Sequence, residues 1–340
     1  MRKMLVVLSL LFLSSGSTAA WAWGYQGHRV VGSIADQMLN DRAKAQVAKI
    51  LGFELRIAGP WADCVKSVSR NDDGTFSYKE DPAHPEYEIP CTNFRTATEQ
   101  KRMEDYVARN WTQCRYPATG TERGCHNTYH FDDVAIERDH FDRQFLGTND
   151  HDLVAAISAA IAVLKGNPAP PPFSIADQKD ALFMLAHFLG DLHQPLHVAA
   201  VYLDEHGDLV DPDARHRIDP TTDTVGGNNI HDGHKVLHTE WDAIPEDLGD
   251  AATPELLAVA RSMAPTPGAP NDWPATWASD TIVVAHDAFA GTTFRQTSPE
   301  HWSVKFVDAH AYADAEDKIK RQQLAKAGAR LAELLNAIWP

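Results

Sequence analysis

The segment His187-Phe-Leu-Gly-Asp191-Leu-His-Gln-Pro195-Leu-His197 holds the densest group of metal-binding residue types in the chain. His187 and Asp191 are four residues apart, so a helix places both on one face. Pro195 cannot continue the helical hydrogen bonding, so the chain bends and His197 can return toward them. Imidazole and carboxylate groups gathered in this way are typical zinc ligands. The alternative is an apolar helix with incidental polar residues.

Helical periodicity extends outward from this segment in both directions. Runs that alternate as strands do are nearly absent. We therefore predict an all-α fold, a single mostly helical domain with long irregular insertions at 67–127 and 203–233. Five helices are predicted. The first carries Val30 to Leu39, and the second begins at about Asp41 and stops at Gly52. The others run from about Ser174 to Leu192 and from Val236 to Ile244, and the last carries Leu324 to Ile338.

The first 22 residues are typical of an export signal. Arg2 and Lys3 supply the positive charge, Leu5 to Leu13 form the apolar stretch, and Ala20-Trp21-Ala22 is a small-x-small cleavage site. We predict a signal peptide at 1–22 and a mature domain at 23–340 that begins at Trp23 and is secreted or periplasmic. No later apolar run is long enough to span a bilayer, so no stable membrane association is expected.

The charge balance excludes one class of nucleic-acid-binding protein. The chain has 31 Lys and Arg residues against 47 Asp and Glu residues, a formal net charge of −16. A protein that grips duplex nucleic acid by its phosphates needs a cationic face, and no block of basic residues supplies one. A nucleic-acid substrate would have to be bound in another way.

The four cysteines are Cys64, Cys91, Cys114 and Cys125. An even number of cysteines in an exported chain indicates disulfides, and three pairings are possible. Loop length favours Cys64 with Cys91 and Cys114 with Cys125. Since no C-x-x-C motif occurs, we do not expect a thiolate zinc site.

Further segments carry the same kinds of side chain. His238-Thr-Glu-Trp-Asp242 repeats the four-residue spacing of histidine and aspartate on a second short helix. Taken alone, two candidate residues of the other segments have a structural explanation. His130 could be a core histidine with satisfied hydrogen bonds, and Asp63 could be a helix cap. These other segments are Trp23-Gly-Tyr-Gln-Gly-His28, Trp61-Ala62-Asp63 and Tyr129-His130-Phe131-Asp132-Asp133.

The order of these motifs resembles one known family. Trp-x-x-x-x-His, Trp-Ala-Asp, His-Phe-x-Asp, His-Phe-x-Gly-Asp-x-x-Gln-Pro-Leu-His and His-x-x-x-Asp follow one another as in the three-zinc single-strand nucleases and 3′-nucleotidases. That family includes the mung bean and secreted fungal nucleases, with bacterial relatives, and shares a helical fold with the zinc phospholipases C. The resemblance runs from Trp23 to at least Asp242 and implies that residues 23–340 are a zinc-dependent nuclease domain.

The resemblance implies three Zn²⁺ ions as cofactors. One would be bound by Asp63, His130, His187 and Asp191, and a second by His197, His238 and Asp242. The third would be bound by the α-amino nitrogen and carbonyl oxygen of Trp23, by His28 and by the other oxygen of Asp191. Nitrogen and oxygen ligands with room for water are typical of catalytic zinc sites.

Four further residues acquire roles by matching position. Asp133 resembles the carboxylate that orients the attacking water, and Lys66 the cation over the scissile phosphate. Phe131 resembles the aromatic platform on which a base stacks. Asn228, in Gly226-Gly227-Asn228, resembles a contact to the base edge. The structural alternatives are a surface lysine, a core phenylalanine and an aspartate that only supports the site.

The implied substrates are single-stranded DNA and RNA, hydrolysed to 5′-phosphate products, and nucleotides that lose a 3′-phosphate. Two neighbouring zinc ions can share a water and lower its pKa to near 7, which makes hydroxide available to attack phosphorus. A zinc phospholipase C is the alternative enzyme, although that family has Glu where this chain has Asp242 and a longer spacing between the Trp and the first His. A non-catalytic zinc-binding protein, buffering metal with its histidine-rich insertion, is the alternative from another class.

Overall fold

The computed structural model describes residues 23–82, 85–112, 114 and 124–340. The predicted signal peptide, residues 1–22, lies outside the described residues. The helices of the described part are α1 Tyr25–Asp36, α2 Asp41–Leu51, α3 Leu55–Ala58, α4 Trp61–Cys64, α5 Ala97–Arg109, α6 Leu153–Leu164, α7 Gln178–Asp191, α8 Leu237–Asp242, α9 Pro254–Arg261, α10 Trp273–Ala288 and α11 Ala309–Ile338.

The strands are short and form three small sheets. β1 pairs with β2 antiparallel, β3 pairs with β4 parallel, and the other four strands form one sheet in the order β6-β5-β8-β7. In that sheet β5 runs parallel to β8, and the other two pairings are antiparallel. The strands are β1 Val68–Arg70, β2 Phe76–Tyr78, β3 Val134–Ala135, β4 Ala199–Ala200, β5 Ile230–Asp232, β6 Lys235–Val236, β7 Thr292–Ser298 and β8 His301–Phe306.

Helix α7 is the centre of the fold. Its cap Asp177 accepts a hydrogen bond from the backbone nitrogen of Asp180 at 2.9 Å, which satisfies one of the free N–H groups of the first turn. From Asp180 to Asp191 every residue is buried. A helix buried on all sides must pack against several partners, and α7 contacts α1, α2, α3, α4, α6 and α11.

Close approach between helices depends on glycine at one crossing in particular. A Cβ on Gly32 of α1 would lie 2.5 Å from the backbone oxygen of Leu55, where α3 begins. No larger residue fits there without moving one of the two helices. Helix α1, which carries His28, is therefore held tightly against the segment that leads to Asp63.

The predicted fold class is confirmed: the structure is mostly helical with small sheets. The second helix ends at Leu51, and Gly52 adopts φ +79°, a left-handed conformation that favours glycine as a helix terminator. The last helix is longer than expected, since it begins at Ala309. No described helix is long and apolar enough to cross a membrane.

Two expectations about irregular structure were wrong. Residues 67–127 contain α5 and the β1–β2 pair, whereas 203–233 is irregular, as expected, apart from β5 and the short turn Pro220–Thr222. The sequence shows almost no alternating runs, so the expectation missed the β7–β8 hairpin. Only one face of this hairpin enters the core. Trp302 and Val304 are buried while the intervening residues are half-buried or exposed, so the alternation spans too few apolar residues to stand out.

The disulfide pairing favoured by loop length is confirmed. Cys64 is bonded to Cys91 and Cys114 to Cys125, with Cα atoms 5.6 and 5.3 Å apart. Cys64 lies at the end of α4, immediately after Asp63, so its disulfide ties that helix to the segment before α5.

Candidate metal centre

Helix α7 presents His187 and Asp191 on one face, one turn apart, as the sequence predicted. Three more candidate ligands from distant parts of the chain meet them there: His28 of α1, Asp63 of α4 and His130. All five side chains are buried. We call these five residues the Asp191 group.

Asp191 is the hub of this group. Its Oδ1 lies 3.4 Å from Nε2 of His28, and its Oδ2 lies 3.0 Å from Nδ1 of His130 and 3.3 Å from Nε2 of His187. Asp63 Oδ1 lies 3.7 Å from the same His187 nitrogen. Both oxygens of one carboxylate thus face different imidazoles, an arrangement in which one aspartate can serve two metal ions.

A second cluster forms beside the first. The Nε2 atoms of His197 and His238 are 3.1 Å apart. Asp242 Oδ1 lies 3.6 Å from Nε2 of His197, and its Oδ2 lies 3.5 Å from Nε2 of His238. The short helix α8 carries His238 and Asp242 one turn apart, and the turn Pro195–His197 carries His197. We call these three residues the Asp242 group.

Backbone carbonyls orient three of the imidazoles. Nδ1 of His187 donates to the oxygen of Gly59 at 2.8 Å, Nδ1 of His197 to that of His130 at 2.8 Å, and Nδ1 of His238 to that of Gly226 at 2.6 Å. A proton held on Nδ1 leaves the lone pair of Nε2 directed into the cluster. This is the usual outer hydrogen bond of a metal-binding histidine.

The electrostatics of both groups favour a cation. Burial lowers the pKa of His187, but the Asp191 and Asp63 carboxylates raise it, and the net shift is upward. Burial also lowers the pKa of His197, but the Asp242 carboxylate raises it, and the net shift is again upward. Burial raises the pKa of Asp191, yet the surrounding imidazoles hold it well below its usual range. These buried carboxylates need positive charge nearby, as a proton or as a metal ion.

In the Asp191 and Asp242 groups, three buried carboxylate oxygens have no hydrogen-bond partner among the described residues. They are Oδ2 of Asp63, Oδ1 of Asp191 and Oδ2 of Asp242. Burying a carboxylate oxygen without a hydrogen-bond partner destabilises the folded protein unless a cation binds it. With the converging imidazole nitrogens they make a nitrogen and oxygen donor set that fits zinc.

Trp23 lies against both groups. Its indole Nε1 donates to the carbonyl of Gly190 at 2.9 Å, next to Asp191, and the nitrogen of Gly24 donates to the carbonyl of Asp242 at 2.8 Å. Hydrogen bonds therefore connect the start of the described chain to α7 and to α8. The role predicted for the α-amine of Trp23 stays a prediction.

The four remaining predicted site residues share one cavity of about 230 Å³. Lys66, Phe131, Asp133 and Asn228 line it. Three imidazoles of the two groups line it as well, those of His130, His197 and His238. The cavity therefore brings an aromatic ring, a cation and a carboxylate next to the candidate ligands.

Two of these side chains already have partners. Lys66 Nζ donates to Asp63 Oδ1 at 2.8 Å, and Asn228 Nδ2 donates to the carbonyl of Val225 at 2.8 Å. Burial raises the pKa of Asp133 to about 8, and the carboxylate of Asp223 adds to the shift. The amide of Asn228 thus faces its own loop, which weakens the expectation that it contacts a base edge.

Comparison with known families identifies the family to which the chain belongs. A family model described as S1/P1 Nuclease matches residues 23–114 and 113–340. The chain belongs to the S1/P1 nuclease family. A search of curated proteins finds no match. Membership makes the chain a nuclease hydrolase of a zinc-dependent family, and its two His and Asp groups are where metal could be bound.

Sequence reasoning missed three residues at this candidate site. Gln194 is buried and its Nε2 donates to Asp242 Oδ1 at 2.7 Å, while Asn127 and Val225 line the cavity. Gln194 stands inside the motif around Asp191, so its polarity at a buried position was a usable signal. Val225 has φ +54°, rare for a β-branched residue, and no sequence pattern reveals that conformation.

Proposed function

We propose that the chain is an exported zinc-dependent phosphodiesterase that hydrolyses single-stranded DNA and RNA to 5′-phosphate products and also removes the 3′-phosphate of nucleotides. One observation carries the proposal: two buried groups of His and Asp side chains border a cavity that also holds Phe131 and Lys66. An aromatic ring beside a metal centre can bind an unstacked base of a single strand, whereas a base in a duplex has both faces covered by its stacked neighbours.

The proposed cofactors are three Zn²⁺ ions. The carbonyl anchors of His187, His197 and His238 and the unpartnered carboxylate oxygens support this assignment. We assign one ion to Asp63, His130, His187 and Asp191, one to His197, His238 and Asp242, and one to Trp23, His28 and Asp191.

Zinc would supply Lewis-acid catalysis and lower the pKa of a bound water. The protein side chains supply the positioning. Phe131 stacks on a base, and Lys66, 17 % exposed at its side chain, neutralises charge on the phosphate. Asp133 orients the attacking water from the wall of the cavity. A flexible strand can bring its phosphate to this recess.

We also propose that residues 1–22 are removed on export. The two disulfides are compatible with an oxidising compartment. Cleavage after Ala22 would free the α-amine of Trp23, which the third ion requires.

The direct test uses protein 23–340 loaded with zinc and assayed on single-stranded DNA, RNA and 3′-AMP over about pH 5–9. We expect all three to be hydrolysed, with 5′-phosphate ends on the oligonucleotide products and metal analysis giving three zinc ions per chain. Asp191→Asn protein purified in parallel is the control for contaminating nuclease. The proposal is wrong if single-stranded DNA and 3′-AMP both remain intact, and hydrolysis of phosphatidylcholine alone would favour the phospholipase.

A further inference from the structure

The four-stranded sheet has one face toward the core and one toward solvent. Ile230 of β5 and Trp302 and Val304 of β8 are buried, so they define the core side. Because side chains alternate along a strand, their neighbours point outward. We call these outward residues the outer sheet face: His231, Thr293, Arg295, His301, Ser303 and Lys305.

The strand register places these residues next to one another. His231 of β5 pairs with Ser303 of β8, which pairs with Arg295 of β7. Thr293 pairs with Lys305 one step further along the same two strands. Neighbouring strands are about 4.8 Å apart, so His231 and Arg295 are separated by about 10 Å across the sheet.

The outer sheet face is cationic in a strongly acidic protein. No carboxylate in the described part of the chain lies within ion-pair distance of Arg295 or Lys305, and the six outward positions include no Asp or Glu. The net charge of the whole chain is −16. Two unpaired cations on a surface without carboxylates are complementary to a polyanion.

Several acidic residues border this face without lying on it. Asp232 follows His231 and has the opposite orientation, and Glu300 lies in the turn between β7 and β8. The loop with Asp204 and Asp208 packs against the edge of β7, where a Cβ on Gly207 would lie 2.2 Å from the oxygen of Phe294.

The face also has surfaces for bases. The rings of His231 and His301 are nearly parallel, at 27°, with centroids 6.2 Å apart. Bases stack on histidine as on other aromatic side chains. The hydroxyls of Thr293 and Ser303 can hydrogen-bond to phosphate or sugar. Cations, aromatic rings and hydroxyls together are the composition of a surface that binds single strands.

The outer sheet face begins near the candidate metal centre. Asn228 lines the cavity, and the carbonyl of the next residue, Asn229, accepts a hydrogen bond from the nitrogen of Trp302 at 2.9 Å. His231 is three residues beyond Asn228, at most about 10 Å away along extended backbone. A strand with one phosphate in the cavity would therefore need to extend only about this far to reach His231.

We infer that the outer sheet face is a second binding surface for the substrate, which holds single-stranded nucleic acid beyond the metal centre. Arg295 and Lys305 bind phosphates, and His231 and His301 stack on bases. The inference rests on the proposed function for its ligand class. It adds that long strands bind more tightly than dinucleotides and with a stronger dependence on salt.

The test compares two double variants of the zinc-loaded protein. Arg295→Gln/Lys305→Gln removes the cations of the outer sheet face. Lys49→Gln/Arg261→Gln removes the same charge from exposed helix ends elsewhere. Affinity for a phosphorothioate-linked oligothymidylate of about 20 nucleotides is measured by fluorescence anisotropy across a salt series. Turnover of a thymidine dinucleotide is measured alongside.

We expect the sheet variant to bind the oligonucleotide at least about tenfold more weakly, with the slope of log K against log salt reduced by about 1.4. The helix-end variant should match the unaltered protein, and all three should hydrolyse the dinucleotide equally. Equal affinity and equal slope for both variants would overturn the inference. If the dinucleotide is not hydrolysed by any of the proteins, the proposed function fails, and the binding comparison still decides the role of the sheet.

Discussion

The Asp191 group and the Asp242 group use the same ligand types but are built into the molecule differently. His28, Asp63, His187 and Asp191 are 0 % exposed and come from α7 and from two helices packed against it, and the fifth member, His130, is 3 % exposed. By contrast, His197, His238 and Asp242 are each 4 % exposed. The Asp242 group sits on a turn and on α8, a helix of 6 residues. Helix packing therefore holds the first group, and a few individual hydrogen bonds hold the second.

This difference predicts how each group responds to damage. The position of Asp191 depends on the core, so metal binding there should be coupled to folding. The position of Asp242 depends on its amide partner Gln194 and on the carbonyls that orient His197 and His238. The following experiments compare the two groups, from the largest expected effect on activity to the smallest.

The largest effect is expected from Asp191→Asn. This carboxylate contacts His28, His130 and His187, so its loss should release more than one zinc ion. Activity should fall by more than the roughly 100-fold upper range seen for residues that only support ligands. Metal analysis of Asp191→Asn and Asp242→Asn proteins makes the comparison, with Asp250→Asn, which removes surface ion pairs, as control. If Asp242→Asn loses as much zinc, Asp191 is not the hub.

Extending the chain with a methionine before Trp23 should remove one zinc ion and leave the Asp242 group filled. An α-amine in peptide linkage has no lone pair to donate to metal. Zinc content and turnover are measured for protein that starts at Trp23 and for protein with the extra residue. Equal zinc content in the two would show that the α-amine is not a ligand.

Gly190→Ala should disturb the Asp191 group through packing alone. A Cβ at this position would lie 2.7 Å from Nδ1 of His28. We expect a loss of about 1–3 kcal/mol in the free energy of unfolding, with weaker zinc binding at this group. Gly249→Ala is the control, because nothing lies within 4 Å of its Cβ position. Denaturant unfolding measures the stability of both variants. Equal stability of the two would contradict the expectation.

Gln194→Met should weaken only the Asp242 group. The variant keeps the volume of the side chain and loses the amide that donates to Asp242 at 2.7 Å. Loss of such a partner typically costs about 10–100-fold in metal affinity. Chelator competition measures the affinity, and Gln323→Met is the matched control, since this buried glutamine donates to a backbone carbonyl instead. Equal affinities for the two variants would assign Gln194 a purely structural role.

The smallest effect on activity is expected from His126→Leu, which separates the acid sensitivity of the ligand groups from that of their surroundings. Burial lowers the pKa of His126 to about 3, from an ordinary 6.5, and Lys66 adds to the shift. At pH values between these two pKa values, His126 binds a proton in the unfolded chain but not in the folded one. The free energy of unfolding therefore decreases as the pH falls.

The His126→Leu protein should lose less stability than the unaltered protein between about pH 6.5 and 4, by on the order of 2–3 kcal/mol. Unfolding at a series of pH values, with activity at neutral pH as the reference, makes the measurement. Parallel stability profiles for the two proteins would place the acid sensitivity in the ligand groups themselves.

Local pattern was sufficient for the helices that carry the ligands. Spacing of four residues placed His187 with Asp191 and His238 with Asp242 on single helix faces, and both helices are present. The stop at Gly52 followed from its conformational freedom. These predictions needed only the periodicity of the helix and the properties of single residues.

Other features depend on contacts between distant segments. The β7–β8 hairpin exists because Trp302 and Val304 find a core to enter, and its sequence is otherwise rich in threonine and charge. Asn228 matched a family position, yet its amide turns to the carbonyl of Val225. No local pattern shows which partner a side chain will have.

The amino-acid sequence by itself determined the kinds of ligand, their spacing on helices and the family to which the chain belongs, because these depend on residue identity and order. Only the tertiary structure decided which oxygen of Asp191 faces which imidazole, which carbonyls orient the histidines, and which cations share the outer sheet face. Such arrangements arise when segments more than 100 residues apart pack together, as His28 and Asp191 do. Packing across such distances is a property of the whole fold, since each contact depends on all the others.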